Sequence, residues 1–427
     1  MRIYKRIICV VLLLALLIVP PTIITPVRAE GNNIENAKAQ EAAYYRTHDK
    51  IEIKDIDIGA FSRAANVTAG TVPEITSPTA ILIEASTGGI LFEKDADVRR
   101  SPASVTKIMT ELLTIEAVEA GVITLDDVVT TSRHAAGMGG SQIFLRQGET
   151  MTVRDMLKGV VINSANDAAV ALAEHLAGSE EAFVASMNAR AADLGMKNTN
   201  FTNCSGLLEP DEHYTTVRDI SLMARELLSH DLIREFTTIW MDSLRNGETM
   251  LANTNRLVRY FDGTTGLKTG FTNLAGHCLA ASARREGVEY ISVTLGDKTS
   301  QERFESARLL LSYAFATYTV ITVTTDSVLP PVKVDLGVER FVQPEIDAAV
   351  GIHLTRAAAA KVEKIVTLAP QLLAPVIAGD EIGRLEFRVD DEIIAEFPII
   401  AANSSERLGW GDIFTEFLGM LVAPPEG

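Results

Sequence analysis

The sequence predicts an α+β fold in two parts: a large domain with helices packed on an antiparallel sheet of hairpins, then a small all-β domain. Two observations carry the first part. Hairpin patterns stand at both its ends, Ala80 to Phe92 and Leu267 to Leu295, and helical periodicity fills the stretch between them. Helices laid on a sheet of hairpins are the α+β arrangement. The second part rests on a change of texture after Thr325. Behind the boundary at Pro330-Pro331, short apolar runs are punctuated by Gly337, Gly351, Gly379-Asp380 and Gly383.

In chain order, residues 1–29 read as a secretory signal. Arg2, Lys5 and Arg6 make a positive start, and Ile7 to Val19 is an apolar run too short to span a bilayer comfortably. Pro20-Pro21 break the run, and Val27-Arg28-Ala29 ends it at a small residue suited to cleavage. An uncleaved anchor extended through Ile23 and Ile24 is the competing reading, and the prolines and polar residues oppose it. The expected location is extracytoplasmic. Residues 30–72 are a polar lead with one alternating patch, Ile51 to Ile58, that reads as an edge strand.

The larger domain is expected over 73–322. Ile81, Leu82 and Ile83 enter a hairpin, Thr87-Gly88-Gly89 turns it, and Ile90-Leu91-Phe92 returns. A helix follows, with Ser101 as its N-cap and Pro102 in the first position. Ile108, Leu112, Ile115 and Val118 give it a helical period, and Gly121 closes it. Thr152 with Asp155 opens another helix, carrying Met156, Leu157, Val160 and Val161. Ser164-Ala165-Asn166 lies just beyond, before a helical run closed by Gly178. Leu267 to Phe271, His277 to Arg284 and Glu289 to Leu295 form a meander, and a helix from Ser300 to Tyr318 packs back.

The small β domain is expected over 326–403, with the Ala-rich stretch Arg356 to Thr367 suggesting a helix inside it. Residues 408–423 form an amphipathic tail helix. Ile413, Phe414, Phe417, Leu418 and Leu421 share one face, opposite Asp412, Thr415 and Glu416.

Charge narrows the function. The formal net charge is −17, and loss of the signal removes four basic residues and no acids, leaving −21. Such a chain has no electrostatic footprint for nucleic acid and is repelled by anionic surfaces. Any anionic group of a substrate must be held by local cations. Cys204 and Cys278, the two cysteines beyond the signal, are no disulfide framework; one bridge or two separate buried thiols both fit. The seven His show no metal-ligand spacing, so no metal and no cofactor are expected.

Three strings carry the chemistry. Ser104-Val105-Thr106-Lys107 puts a hydroxyl and an amine one helical turn apart on one face. Serine needs a base to become a nucleophile, and lysine can be that base if burial and a second cation depress its pKa. Ser164 and Asn166, in the turn between two helices, supply a proton relay and an amide for the substrate backbone. Lys268-Thr269-Gly270 begins a strand after the Gly263–Gly266 turn. Lysine and threonine offer a cation and a hydroxyl to a terminal carboxylate, and the glycine admits close backbone approach. A strand edge there suits an extended peptide added as a further strand.

With these strings in place, the chain resembles the serine-type D-alanyl-D-alanine carboxypeptidases, the low-molecular-mass penicillin-binding proteins. The likeness covers roughly 78–402. It includes Ser101 to Thr110, Asn163 to Ala169, Asn203-Cys-Ser-Gly-Leu207, Gly266 to Thr272, and Ala374 to Gly379 in the small β domain. The resemblance implies a β-lactamase/transpeptidase-like catalytic fold and an acyl-enzyme mechanism on peptidoglycan pentapeptide stems. In it Ser104 is nucleophile, Lys107 general base and Ser164 proton relay. Asn166, Lys268, Thr269 and Gly270 bind substrate, and the backbone N–H groups of Ser104 and Phe271 form the oxyanion hole. β-Lactams are the implied covalent inhibitors.

Thr265-Gly266 stands where many relatives have Asp-Gly, and no basic residue follows Arg407, which weakens the implied peripheral membrane contact of the tail. A class A β-lactamase shares two of the strings. It needs a glutamate to activate water, and Met196 to Cys204, where that loop would fall, holds no acid. A penicillin-binding sensor or scaffold that acylates without turnover is the other alternative.

Overall fold

The computed structural model describes residues 51–54, 72–208, 210–322, 329–346 and 351–414. The expected signal, most of the polar lead and the end of the tail lie outside these residues. We label the elements used below β1 (Ile51–Lys54), β2 (Thr79–Glu84), β3 (Ile90–Lys94), α1 (Lys107–Glu119), α2 (Val153–Asn163), α3 (Asn166–Ala177) and α4 (Val217–Ser229). The strands β4 (Thr264–Thr272), β5 (Gly276–Arg285) and β6 (Val288–Asp297) and the helix α5 (Ser300–Thr317) follow. The C-terminal part contributes β7 (Tyr318–Thr322), β8 (Pro344–Ile346), β9 (Gly351–Thr355), β10 (Glu363–Leu368), β11 (Glu381–Val389) and β12 (Glu392–Ala401).

The first sheet has five antiparallel strands in the order β3-β2-β6-β5-β4. Its central strands are buried on both faces because helices cover both. Ile81, Ile83, Ile291 and Val293 face a core shared with α1, α2, α3 and α4. Ala80, Leu82, Leu279 and Tyr290 face α5 through Leu310, Leu311 and Ala314. At about 25 cal/mol per Å2 of apolar surface, these two layers supply the main drive for folding. β4 is the last strand of the sheet, with β5 on one side only.

The expected caps are present on α2 and α3, and α5 has a capping box of its own. Thr152 Oγ1 accepts from Asp155 N–H, Gly178 closes α3 at φ 81°, and Thr299 with Glu302 forms a capping box.

The second sheet has the order β1-β10-β11-β12-β8. β1, the first four residues of the alternating patch, is its edge strand, with Ile51 opposite Leu368 and Lys54 opposite Ile365. The Ala-rich stretch departs from expectation. Only Arg356–Ala359 is helical, capped by Thr355, and Glu363–Leu368 is β10. Val366 and Leu368 are buried in the second core and Ile365 is buried as well, so tertiary burial overrides local helix propensity. β7 follows α5 directly, yet it pairs with β9.

The tail is helical over residues 410–414, with Trp410 89% exposed. Among the described residues, no helix is long and apolar enough to cross a membrane.

Candidate active site

The three strings meet where the start of α1, the α2–α3 turn and β4 converge. One local expectation changes. The helix does not start at Ser101; a 3-10 turn over Ala103–Thr106 comes first, with Pro102 before it, and α1 begins at Lys107. The cause is Ala103, which sits at φ 46° and interrupts the helical path. Thr106 Oγ1 donates to Ala103 O at 2.8 Å and lies 2.9 Å from His213 Nε2. His213 Nδ1 accepts from Thr202 N–H at 3.1 Å, so Nε2 carries the proton. Burial holds this imidazole neutral, with its pKa down at about 4.

Ser104 and Lys107 nevertheless meet, with 3.0 Å between Oγ and Nζ. Lys107 is fully buried. Its Nζ donates to Asn166 Oδ1 and to the Ser205 carbonyl, both at 2.6 Å. Burial first, and then the charge of Lys268, push its pKa well below the ordinary lysine value. A neutral amine has two N–H groups and one lone pair. Two of its neighbours are obligate acceptors, so the lone pair is left for the Ser104 hydroxyl.

Asn166 makes contacts within the protein that the sequence did not predict. Its Nδ2 donates to Gly139 O at 2.8 Å while Oδ1 takes the Lys107 bond. The amide thus bridges Lys107 and the Gly139 carbonyl, with one N–H of Nδ2 beyond these two bonds. A Cβ on Gly140 would lie 2.8 Å from Asn166 Nδ2, so this loop packs directly on the amide. Ser164 caps α2 in the left-handed region at φ 61°, nearly buried. Its hydroxyl makes no hydrogen bond to Ser104 or Lys107 among the described residues.

Lys268-Thr269-Gly270 lies within β4 rather than at its start. Lys268 is buried, and its Nζ donates to Thr269 O at 3.2 Å. Its pKa is lowered to about 8 by burial, with Arg303 lowering it further and Glu111 opposing. Thr269 Oγ1 donates to Thr254 Oγ1 at 2.8 Å. A Cβ on Gly270 would lie 2.8 Å from Pro102 O and 3.2 Å from Ser104 N, which is why β4 can pack against the nucleophile turn. Arg303 Nη1 donates to Gly270 O at 2.8 Å and braces the strand from α5. Phe271 is half exposed and stacks on His277 at 4.3 Å. Cys204 and Cys278 are separate buried thiols.

Sequence reasoning gave Ser205, Asn203 and Gly206 no roles. Asn203 Oδ1 accepts from Ser205 N–H at 3.2 Å and Gly206 N–H at 2.6 Å, setting the carbonyl that faces Lys107. Gly206 has φ 70°, and a Cβ there would fall 1.9 Å from Ala103 O. The available signal was Asn-x-Ser-Gly, a side-chain turn followed by a glycine.

Among the described residues, one group has ligand atoms close enough for a metal: Glu116, Glu226 and His230. Arg190 already pairs with both glutamates.

A family model described as D-alanyl-D-alanine carboxypeptidase matches residues 66–299. The chain belongs to this family. The carboxypeptidase match is followed by one to the penicillin-binding protein 5 C-terminal domain, over 318–407. D-alanyl-D-alanine carboxypeptidase DacF of Bacillus subtilis is 41% identical over 337 residues, covering 78% of this chain and 86% of its own. DacC of Escherichia coli is 33% identical, covering 84% and 91%. Among solved structures, penicillin-binding protein 5 of Haemophilus influenzae has a TM-score of 0.70 at 29% identity, covering 79% of this chain and 100% of its own. Penicillin-binding protein D2 of Listeria monocytogenes in an ampicillin-bound form has a TM-score of 0.52 at 32% identity, covering 56% and 98%. The family fold, a carboxypeptidase domain of helices on an antiparallel sheet followed by an all-β domain, is thus the fold of this chain.

Proposed function

We propose that the chain is a D-alanyl-D-alanine carboxypeptidase that trims the terminal D-Ala from peptidoglycan pentapeptide stems outside the cytoplasm. The observation that carries this reading is the Lys107 amine, held by two acceptors with Ser104 Oγ at 3.0 Å. Burial and the Lys268 charge favour the neutral form of Lys107 beside the Ser104 hydroxyl, and family membership supports the chemistry the pair would serve.

Ser104 Oγ attacks the carbonyl of the penultimate D-Ala while its proton passes to Lys107. The Oγ–C bond forms, and the oxyanion rests on the N–H groups of Ser104 and Phe271. The proton moves through Ser164 to the leaving nitrogen, the C–N bond breaks, and D-Ala departs. Water then hydrolyses the ester and restores Ser104. Lys268 and Thr269 hold the terminal carboxylate, a local cation in a chain of net charge −17. A β-lactam follows the first steps, but its leaving nitrogen stays tethered to the acyl group. Asn166 serves by fixing Lys107.

The tail presents Trp410, Ile413 and Phe414 at its surface, which supports a peripheral contact with the outer face of the cytoplasmic membrane. The test of the catalytic reading is release of D-Ala from a peptide ending in D-Ala-D-Ala. Release by the wild type and none by Ser104→Ala supports it. Penicillin labelling with no D-Ala release would transfer the chain to the sensor reading, and rapid penicillin hydrolysis to the β-lactamase reading.

A further inference from the structure

Glu111 lies on α1 four residues after Lys107, so the two share a helix face. It is fully buried, and neither carboxylate oxygen has a hydrogen-bond partner among the described residues. Buried carboxylates kept only for packing are normally satisfied by hydrogen bonds, and an isolated buried charge costs several kcal/mol, on the order of a whole domain's stability. What Glu111 has instead is two buried lysines, Lys268 and Lys107, acting on it in that order.

The two lysines differ in what they have left to give. Lys107 has acceptors for two N–H groups in Asn166 and Ser205, and Ser104 beside its third position. Lys268 donates only to the carbonyl of its own neighbour, Thr269, among the described residues. Lys268, with fewer acceptors of its own, is thus the lysine with more to gain from a buried carboxylate nearby.

We propose that Glu111 is a positioning residue that keeps the two lysines in opposite protonation states. Its carboxylate is the counter-charge that retains the proton on Lys268 while Lys107 stays neutral. This rests on the reading above, in which Lys107 is the base and Lys268 holds the substrate carboxylate. The other charged and titratable groups around the pair fit. Asp167, on α3, spends its oxygens on the amides of Ile143, Leu145 and Ala168. Cys204 is a buried thiol whose pKa is raised by burial, so it carries no charge at neutral pH. Arg303, on α5, drives Lys268 toward losing its proton. Glu111 is the acid that opposes Arg303 there. It also takes a proton more readily than an ordinary glutamate, at about pH 7, because burial disfavours its charge.

Without the acid, Lys268 gives up its proton at a lower pH, so the alkaline fall of acylation moves down from about 8. Lys107 also loses a charge that favoured its protonated form, so the acid limb moves the same way. The experiment measures the second-order rate of acylation by a fluorescent penicillin, and KM for D-Ala release, from about pH 5.5 to 9.5. It uses wild type, Glu111→Gln, Glu111→Met and Glu111→Asp. We expect the two neutral variants to lose about tenfold more at pH 8 than at pH 6.5, the loss appearing in KM, with Glu111→Asp restoring the alkaline limb. A loss by the same factor at every pH, or a profile superimposable on the wild type, overturns the proposal. Glu111→Met keeps the test open if Glu111→Gln fails to fold. Failure of the wild type to release D-Ala overturns the functional reading instead, and the penicillin profile still tests Glu111.

Discussion

Ser104 Oγ and Lys107 Nζ stand 3.0 Å apart, joined across a 3-10 turn that changes into α-helix at Lys107. The lysine is fully buried and its pKa well depressed, chiefly by that burial. If Lys107 is the base, Lys107→Gln leaves a hydroxyl with no proton acceptor. Acylation by penicillin should fall by about 10²–10⁴-fold, with the fold retained, as read by stopped-flow labelling and circular dichroism.

Asn166→Asp separates orientation from charge. The carboxylate would keep an acceptor near Lys107 but favour its charged form, raising its pKa. The fraction of neutral amine at pH 7 then falls. We expect acylation at that pH to drop about tenfold or more and to recover as the pH is raised. A flat loss would mean that Asn166 only packs.

Gly206→Ala adds a Cβ that would sit 1.9 Å from Ala103 O at a residue with φ 70°. The backbone on one side must move. Urea unfolding should show a loss of about 3 kcal/mol, with slower penicillin labelling of the folded fraction because the Ser205 carbonyl shifts.

The pH profile of the wild type has a predicted shape. Lys107 must be neutral and Lys268 charged. Acylation therefore rises as Lys107 loses its proton, and falls as the pH passes about 8, where Lys268 loses its own. A rate that kept rising through pH 10 would remove Lys268 from carboxylate binding.

Deleting residues from Trp410 onward should move the protein from the membrane to the soluble fraction while leaving penicillin labelling intact. Unchanged fractionation would sink the membrane contact.

Much of this was legible in the sequence because it rests on side-chain identity and local period. The meander, the caps at Thr152 and Gly178, and the order of the three strings were all visible. What was not visible depends on distance along the chain or on backbone atoms. The Ser205 contribution is a carbonyl, which every residue has. β1 pairs with β10 some 300 residues later, as Ile51 opposite Leu368 shows, and nothing local names that partner. Ser101 looked like a cap because the left-handed Ala103 that displaces the helix start leaves no mark in the sequence. Arg356 to Thr367 read as helix because alanine sets local propensity, while burial in the second core decides the strand.

The mechanism turns on a covalent acyl-enzyme at Ser104. The most direct measurement is mass spectrometry of the intact protein and its peptides after brief exposure to penicillin. One adduct per chain is expected, on the peptide holding Ser104, absent in Ser104→Ala, in a wild-type protein that also releases D-Ala. An adduct on any other residue, or D-Ala release that survives Ser104→Ala, would contradict it.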